Sequence, residues 1–321
     1  GVSFTLDIDE GGSTVQQNWQ IPSQTQCLQC HTKKAGPALS FRTRQLNLDG
    51  TLNGLDGNFI SCLDTAGFLT NAPTDTAGLP RHLRPDETDY SLEARVRAYL
   101  DVNCSYCHFP EGSAGIAAWD GRSEILLAQM GIINGTLQDG SMHPDDRLIV
   151  PGIVDRSVIL SRISETNGYS IMPPLGTSES NDDGVQLLTD WILAEASDIL
   201  TYDDWRNEEF GNTTSPEGEP GFDADGDGKD NHFEYLTKTD PNDPNDCWQA
   251  GIRTGAGEVH LDFTGLGNRK VSIWTSRNLT DWEFWQVDGN DTLPRSPGVL
   301  HTISGPAADP KAVFRFEIEE N

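Results

Sequence analysis

Two five-residue segments of this chain share an unusual spacing of thiol and imidazole side chains. Residues 27–31 read CLQCH and residues 104–108 read CSYCH, so each has two cysteines three positions apart and a histidine directly after the second. With 6 cysteines and 7 histidines in 321 residues, chance would produce roughly 0.002 such segments. Three chemistries use pairs of cysteines at this spacing: covalent attachment of haem, a structural zinc site and a redox-active dithiol.

Covalent haem attachment accounts for every position of these pentads. The two thiols form thioethers with one edge of a porphyrin, and the next residue lies under the iron as its axial ligand. Structural zinc needs four ligands at compact spacing and leaves the histidines without a role. A thioredoxin-like dithiol needs a βαβ setting, which the sequence does not predict. We therefore predict two covalent c-type haems, held by Cys27, Cys30 and His31 and by Cys104, Cys107 and His108.

The sequence around the second pentad predicts two helices and a methionine loop. Residues 91–102 and 182–196 carry apolar side chains at helical spacing, and IMPPLG, with Met172, lies between them. This order resembles a class I cytochrome c over residues 89–200, and the resemblance implies Met172 as the sixth ligand of the second haem. A thioether suits that position because it is a soft, neutral ligand that favours ferrous iron. The alternative is a methionine that fills the core.

The sixth ligand of the first haem is left open by the sequence. His82 is favoured, because it lies in the proline-bounded segment GLPRHLRP just before the predicted helix. Met130, Met142 and His143 are alternatives, and an iron with an open face is another. Six-coordinate iron suits electron transfer, whereas an open iron binds peroxide, oxygen or another small ligand.

Residues 18–200 are similar to a family of bacterial exported di-haem proteins. The similarity is carried by WQIPSQTQCLQCH, ARVRAYLDVNCSYCH and MPPLG. It implies redox character and export. Covalent haem attachment also implies assembly outside the cytoplasm, and a chain that begins at Gly1 is the expected product of leader removal.

Residues 223–234, DADGDGKDNHFE, match the pattern D-x-D-x-D-G-x5-E of a calcium loop. Alternate oxygens of such a loop converge on one hard cation, and a final glutamate binds through both carboxylate oxygens. The other reading is a solvated acidic linker. The flanks predict little helix, and the segment resembles the thrombospondin type 3-like repeats of bacterial surface proteins. The expected ligands are Asp223, Asp225, Asp227, Lys229 through its carbonyl, Asn231 and Glu234.

The chain as a whole predicts a multidomain protein. Alternating apolar and polar residues after position 250 predict a small antiparallel, sandwich-like β-domain. We therefore expect mainly α, cytochrome c-like haem domains followed by that all-β domain. The expected boundaries are 1–88 for a haem domain with a leading strand, 89–200 for the second haem domain, 201–246 for the calcium-binding linker and 247–321 for the β-domain.

Two cysteines and one predicted strand are left without an assigned partner. Cys62 and Cys247 remain after the pentads are assigned, and outside the cytoplasm an isolated pair commonly forms a disulfide. The segment VSFTLDI, residues 2–8, alternates like a strand and needs a sheet partner. We expect it to complete the chain's own β-domain or to join the sheet of a second copy, which would make a homo-oligomer.

Charge narrows the range of partners. The chain has 50 acidic and 22 basic residues, a formal net charge of −28. Phosphate backbones are repelled, so nucleic acid is an unfavourable partner, whereas basic redox proteins are attracted. No apolar run approaches the roughly 20 residues that span a bilayer. We expect a periplasmic, extracellular or cell-surface location.

Three function classes are compatible with these features. The favoured one is an exported di-haem electron-transfer protein, which assembles into larger electron-conducting oligomers if the N-terminal strand pairs with another copy. The second is a di-haem peroxidase-like oxidoreductase with one open haem face, although the sequence has no distinctive acid–base constellation beside it. The third is a calcium-stabilised surface adhesion or assembly protein. The sequence favours an electron-transfer protein over a catalyst.

Overall fold

The computed structural model of this chain describes residues 1–36, 38–39, 41–114, 119–177, 180–198, 201–307 and 312–321. The chain forms two compact units. The first comprises Gly1–Asp86 and Arg95–Ala196, and the second comprises Glu87–Ala94 and Ser197–Asn321. Both pentads therefore belong to the first unit, and the acidic loop belongs to the second.

The first unit combines two β-hairpins with short helices. Its strands are β1 (Val2–Glu10), β2 (Ser13–Ile21), β3 (Asp49–Leu52) and β4 (Leu55–Asn58). Its helices are α1 (Gln24–Cys30), α2 (Thr43–Leu46), α3 (Phe59–Thr65), α4 (Leu92–Cys104, of which Arg95–Cys104 belong to this unit), α5 (Val158–Ile163) and α6 (Asp182–Ala194). None of the helices in the described ranges is long and apolar enough to cross a membrane.

The expectation of mainly α, cytochrome c-like haem domains is wrong. Helices make up 25% of the structure and strands 23%, with the strands in small antiparallel sheets. Within the described residues, 105–114 and 119–157 contain neither an α-helix nor a strand. Asn71, Gly131 and Asn134 adopt positive φ, a conformation that interrupts helices and that glycine and asparagine tolerate best. Turns therefore make up a large part of the described chain between α3 and α5.

The N-terminal strand pairs with its own neighbour along the chain. β1 and β2 are antiparallel, and their register places Phe4 opposite Trp19 and Ile8 opposite Val15. The expectation that this strand completes the C-terminal β-domain is therefore wrong. β2 was missed because its central residues, VQQNWQ, show no clear alternation. One face of the hairpin is apolar and accessible, with Phe4 40% and Trp19 41% exposed.

The core of the first unit is built from the apolar stripes of α4 and α6. Val96 and Leu100 of α4 and Leu188, Trp191 and Ile192 of α6 have no exposed surface. Helical spacing predicted these residues as the buried faces, and that prediction is confirmed. Burying each large apolar side chain contributes about 1.5–3 kcal/mol, so the two stripes anchor the helix that ends in the second pentad.

Among its described residues, the second unit has the α-helices α7 and α8, the start of α4 and two three-stranded antiparallel sheets. Leu261 and Phe263 of one sheet and Ile273 of the other lie in a single buried cluster, so the sheets face each other across a common core. The sheet orders are β10-β7-β8 and β5-β6-β9. The elements are α7 (Tyr202–Phe210), α8 (Asn231–Thr237), β5 (Ala250–Gly255), β6 (Glu258–Thr264), β7 (Arg269–Ser276), β8 (Glu283–Phe284), β9 (Leu300–Pro306) and β10 (Val313–Glu320).

A buried amide ties β7 to the loop that follows β8. Asn290 is 5% exposed, accepts the N–H of Ile273 at 2.9 Å, and donates to the carbonyls of Ile273 and Trp285 at 2.8 and 2.7 Å. The substitution Asn290→Ala removes all three hydrogen bonds and takes this acceptor from the buried N–H of Ile273, at about 1–3 kcal/mol, while the carbonyls of Ile273 and Trp285 keep the N–H groups of Trp285 and Val287. We expect the free energy of unfolding of this unit to fall by about 3 kcal/mol in urea denaturation.

The matched control for this prediction is Asn242→Ala, because Asn242 is exposed. Its effect should stay within about 0.5 kcal/mol, the usual range for surface substitutions. Equal unfolding free energies for the two variants would contradict the bridging role of Asn290.

Candidate functional sites

Helix α1 carries the first pentad. Ser23 caps the helix by accepting the N–H of Gln26 at 3.3 Å, while the Gln26 side chain accepts the N–H of Ser23 at 2.9 Å, which is a capping box. Cys27 and Cys30 are three positions apart and share one helix face. His31 closes the last turn by donating its N–H to the Cys27 carbonyl at 2.9 Å. The S-x-x-Q spacing of Ser23 and Gln26 is the sequence signal that marks the start of this helix.

Helix α4 ends in the second pentad. Cys104 is its last residue, and the Cys104 carbonyl accepts the N–H groups of Cys107 at 3.1 Å and His108 at 2.9 Å. The chain returns to this turn at Gly121, whose N–H donates to the His108 carbonyl at 2.8 Å. These bonds hold two thiols and an imidazole at one end of a core helix.

The imidazole of His108 is buried against an aromatic ring, and burial favours its neutral form. Its ring stacks on Trp119, with the ring centres 4.4 Å apart and the planes inclined by 27°. Burial, followed by the nearby Arg162 guanidinium, lowers the pKa of His108 to about 4. Nδ1 is buried and, among the described residues, has no hydrogen-bond partner. Neutral imidazole is the form that binds metals, so this side chain fits an axial ligand.

The two pentads lie beside each other. The Sγ atoms of Cys30 and Cys107 are 3.5 Å apart, and the Cys107 sulfur is also 3.9 Å from the carbonyl oxygen of Gln29. Just beyond the pentads, Lys34 forms an ion pair with Glu111. Sequence reasoning treated the pentads as two separate sites, since nothing in their local spacing indicated contact across 77 residues.

The pKa values of the cysteine thiols help to distinguish a redox-active dithiol from haem attachment. Burial, then a hydrogen bond and repulsion involving Cys107, raise the pKa of Cys30 to about 11, and burial raises the pKa of Cys104 to about 12. A reactive dithiol needs a lowered pKa, so these thiols are poorly suited to disulfide exchange at neutral pH. Among the described residues, the pentad side chains form no compact group of three or more metal ligands, as structural zinc requires. Haem attachment fits these residues best.

Arg162 connects the methionine loop to the surroundings of His108. The N–H of Met172 donates to the Arg162 carbonyl at 2.9 Å, and the Arg162 guanidinium donates to the Ser170 hydroxyl at 2.8 Å. The same guanidinium is close enough to His108 to lower its pKa. Met172 is half-buried. Its ligation of the second haem stays a prediction.

His82 is buried against helix α4. It is 9% exposed, and Nε2 of its imidazole lies 3.5 Å from Oδ2 of Asp101. The backbone N–H of His82 donates to the Arg44 carbonyl at 2.8 Å. Burial lowers the pKa of His82, and the neighbouring Asp101 offsets this only in part. The alternatives Met142 and His143 are exposed. Ligation of the first haem by His82 stays a prediction.

The first half of the acidic loop is folded as a tight turn around its carboxylates. Asp223 accepts the N–H of Gly226 at 2.8 Å and that of Gly228 at 3.0 Å, and both glycines have positive φ. One oxygen from each of Asp223, Asp225 and Asp227 lies within 4.8 Å of the others. This is the convergence that a hard cation needs from alternate residues of a loop.

Buried oxygens without partners lie beside this triad. Glu234, in α8, is 2% exposed, and neither its Oε2 nor Oδ2 of Asp225 has a hydrogen-bond partner among the described residues. Burial, then repulsion from Asp225, Asp227 and Asp223, raises the pKa of Glu234 from 4.5 to about 7. Unsatisfied carboxylates crowded together are costly unless a cation joins them, so these residues fit calcium.

Two other predicted calcium ligands have defined roles in the loop. The Lys229 N–H donates to Oδ1 of Asp227 at 2.6 Å. Asn231 is completely buried and donates its amide to the carbonyls of Glu217 and Glu219 at 2.7 and 3.0 Å. Its amide therefore ties α8 to the preceding segment. Ligation by these two residues stays a prediction.

The two remaining cysteines lie in different units. Cys62 is 5% exposed in α3 and donates to the Leu55 carbonyl at 3.6 Å. Cys247 donates to Oδ2 of Asp227 at 3.0 Å, a contact that sequence reasoning missed. The disulfide between Cys62 and Cys247 stays a prediction.

No protein-family profile, curated protein or solved structure matches this chain. The expected membership of a family of exported di-haem proteins with a class I cytochrome c-like domain and a thrombospondin type 3-like repeat is wrong, because no family matches and the fold is not a helical cytochrome c fold. Functional conclusions therefore depend on the sites themselves.

The pKa of Glu234 predicts a pH dependence of stability in the presence of a calcium chelator. A carboxyl group whose pKa is raised by folding stabilises the fold while it is protonated, and this contribution is lost as pH rises from 4.5 through about 7. We expect the thermal midpoint of the chelator-treated protein to fall between pH 5 and pH 7, and added calcium to restore it at pH 7.

The variant Glu234→Gln is the matched control for this pH dependence. Because the amide does not ionise, its midpoint should change less over this pH range and should gain less from calcium. If wild type and variant respond equally to pH and calcium, Glu234 does not face the cation.

Proposed function

We propose that this protein transfers electrons through two covalently attached c-type haems. The observation that carries the proposal is the presence of two complete Cys-x-x-Cys-His pentads in one compact unit, with facing thiols 3.5 Å apart. The raised pKa values of Cys30 and Cys104 and the dispersed ligand atoms argue against the dithiol and zinc readings.

The residues divide into attachment and axial roles. Cys27 and Cys30 attach one haem and Cys104 and Cys107 the other, with His31 and His108 as proximal ligands and Met172 and His82 as the proposed distal ligands. When bound, the haem supplies the one-electron chemistry of its iron, while the protein supplies ligands, burial and orientation. The neutral state of His108 leaves a nitrogen lone pair for the metal, and the Trp119 ring holds the imidazole plane.

The acidic loop is proposed to bind one calcium ion that stabilises the second unit. The supporting observation is the orphaned Oε2 of Glu234 next to a triad of carboxylates. Calcium would offset their repulsion and hold α8 against the loop. This role is structural and lies apart from the electron-transfer residues in the sequence.

The proposed location of this protein follows from haem attachment, and its proposed partners follow from its net charge and its exposed apolar hairpin face. We propose export to the periplasm or cell surface, since covalent haem attachment takes place outside the cytoplasm. The net charge of −28 favours redox partners with basic surfaces and disfavours nucleic acid. A second copy of this chain is a further proposed partner, because the apolar face of the β1–β2 hairpin is accessible.

Intact-mass analysis and visible spectroscopy test the proposed function. The exported protein should carry the mass of two haems, and the variants Cys27→Ala/Cys30→Ala and Cys104→Ala/Cys107→Ala should each carry one. A protein with complete export and no covalent haem would overturn the proposal. Rapid turnover of peroxide would instead support the oxidoreductase alternative.

The variant Met172→Ala should lose the weak far-red absorption of a methionine-ligated ferric haem while both haems remain attached. Met130→Leu is the matched control, because Met130 is 1% exposed in the core. The far-red absorption should persist in that control. Its persistence in Met172→Ala would remove Met172 from the ligand set.

A further inference from the structure

The contact between the two pentads is part of a broader set of interactions that joins their surroundings. Cys30 and Cys107 meet through their sulfurs, and Lys34 and Glu111 form an ion pair just beyond them. The first pair is partly buried and the second is exposed. The contact between the two sulfurs is therefore accompanied by a second contact between the same two segments of the chain.

A second set of contacts holds the first pentad's surroundings against the last turn of α4. Asp101 lies three residues before Cys104 and is 3% exposed. Arg42 donates to Oδ1 of Asp101 at 3.4 Å and to the Ser105 hydroxyl at 3.3 Å, and His82 faces Oδ2 of Asp101 at 3.5 Å. Two segments that follow the first pentad in the chain thus converge on the helix that leads into the second.

We propose that Cys30 and Cys107 make the two pentads one paired site, in which two haems are attached side by side and titrate as a coupled pair. This inference rests on the proposed function. Each sulfur is the atom that would tie a porphyrin edge to the chain, and the two sulfurs are in van der Waals contact. The tethered edges are therefore neighbours, a placement that neither pentad specifies alone.

Coupling between two adjacent haems would separate their reduction potentials. If two haems were attached here, reduction of one would remove a positive charge beside the other and with it the repulsion that favours the reduction of the other. The second electron would then be accepted at a lower potential than the first. As with interacting protonation sites, the two macroscopic potentials belong to the pair rather than to either site.

Disulfide trapping in the haem-free, full-length chain tests the geometry without any haem. A disulfide bond is about 2.05 Å long, so the sulfurs of Cys30 and Cys107 need to approach by about 1.5 Å. Oxidised glutathione at about pH 9, where more thiolate is present than at neutral pH, is the oxidant: the two thiols lose two electrons and two protons, a disulfide forms, and two molecules of reduced glutathione are released. Peptide mapping by mass spectrometry then identifies the bond.

Two double variants make this trapping experiment a matched comparison. Cys27→Ser/Cys104→Ser keeps the facing pair, and we expect a bond between Cys30 and Cys107. Cys30→Ser/Cys107→Ser keeps the outer pair, and we expect at least tenfold less bond between Cys27 and Cys104. Equal yields in the two variants, or no bond between Cys30 and Cys107, would overturn the paired site.

The haem-loaded protein provides the second measurement. In the Soret region, circular dichroism should show a bisignate couplet in the wild type, and a dithionite titration should show two separated one-electron steps. Each variant that keeps one haem, Cys27→Ala/Cys30→Ala or Cys104→Ala/Cys107→Ala, should lose the couplet and titrate in a single step. A wild-type spectrum equal to the sum of the two one-haem spectra would overturn the pairing while leaving the proposed function intact. Exported protein without haem would overturn the proposed function.

Discussion

The buried carboxylate of Asp101 is the interaction on which the arrangement of the first unit depends. Burial opposes its ionisation, but hydrogen bonds from Ser105 and Ser123 and the nearby His82 outweigh this, and the pKa of Asp101 lies below its usual value. A buried charge must be paired, since removing a partner costs about 3–5 kcal/mol. Arg42 and His82 are therefore held against α4, which brings the two pentads to one place.

In the second unit, by contrast, several negatively charged carboxylates lie close together in the acidic loop. The carboxylates of the acidic loop are crowded by its turns and by the burial of Glu234, whose Oε2 has no hydrogen-bond partner within the described part of the chain. Asp101 is satisfied by groups of its own chain, whereas the loop is proposed to take a cation from outside. Carboxylates thus take two roles in this protein, one internal to the fold and one suited to ligand binding.

Sequence reasoning succeeded where structure follows from local spacing. The helical stripes with Leu100 and Trp191 are buried, and the alternating segments after position 250 are antiparallel strands. It failed on the fold class, because residues 105–114 and 119–157 form no α-helix, and on the partner of β1, because β2 lacks alternation. It also missed Arg162 and Trp119 beside His108, since a lone arginine or tryptophan carries no distinctive spacing.

The sequence by itself determined which residues are chemically competent. Two thiols and an imidazole within five residues, or carboxylates at alternate positions of a loop, are brought together by the chain's own local geometry. Only the tertiary structure decided that Cys30 meets Cys107 across 77 residues and that His82 faces Asp101. Such contacts depend on packing between distant segments, where each pairing competes with many others and no short pattern records the outcome.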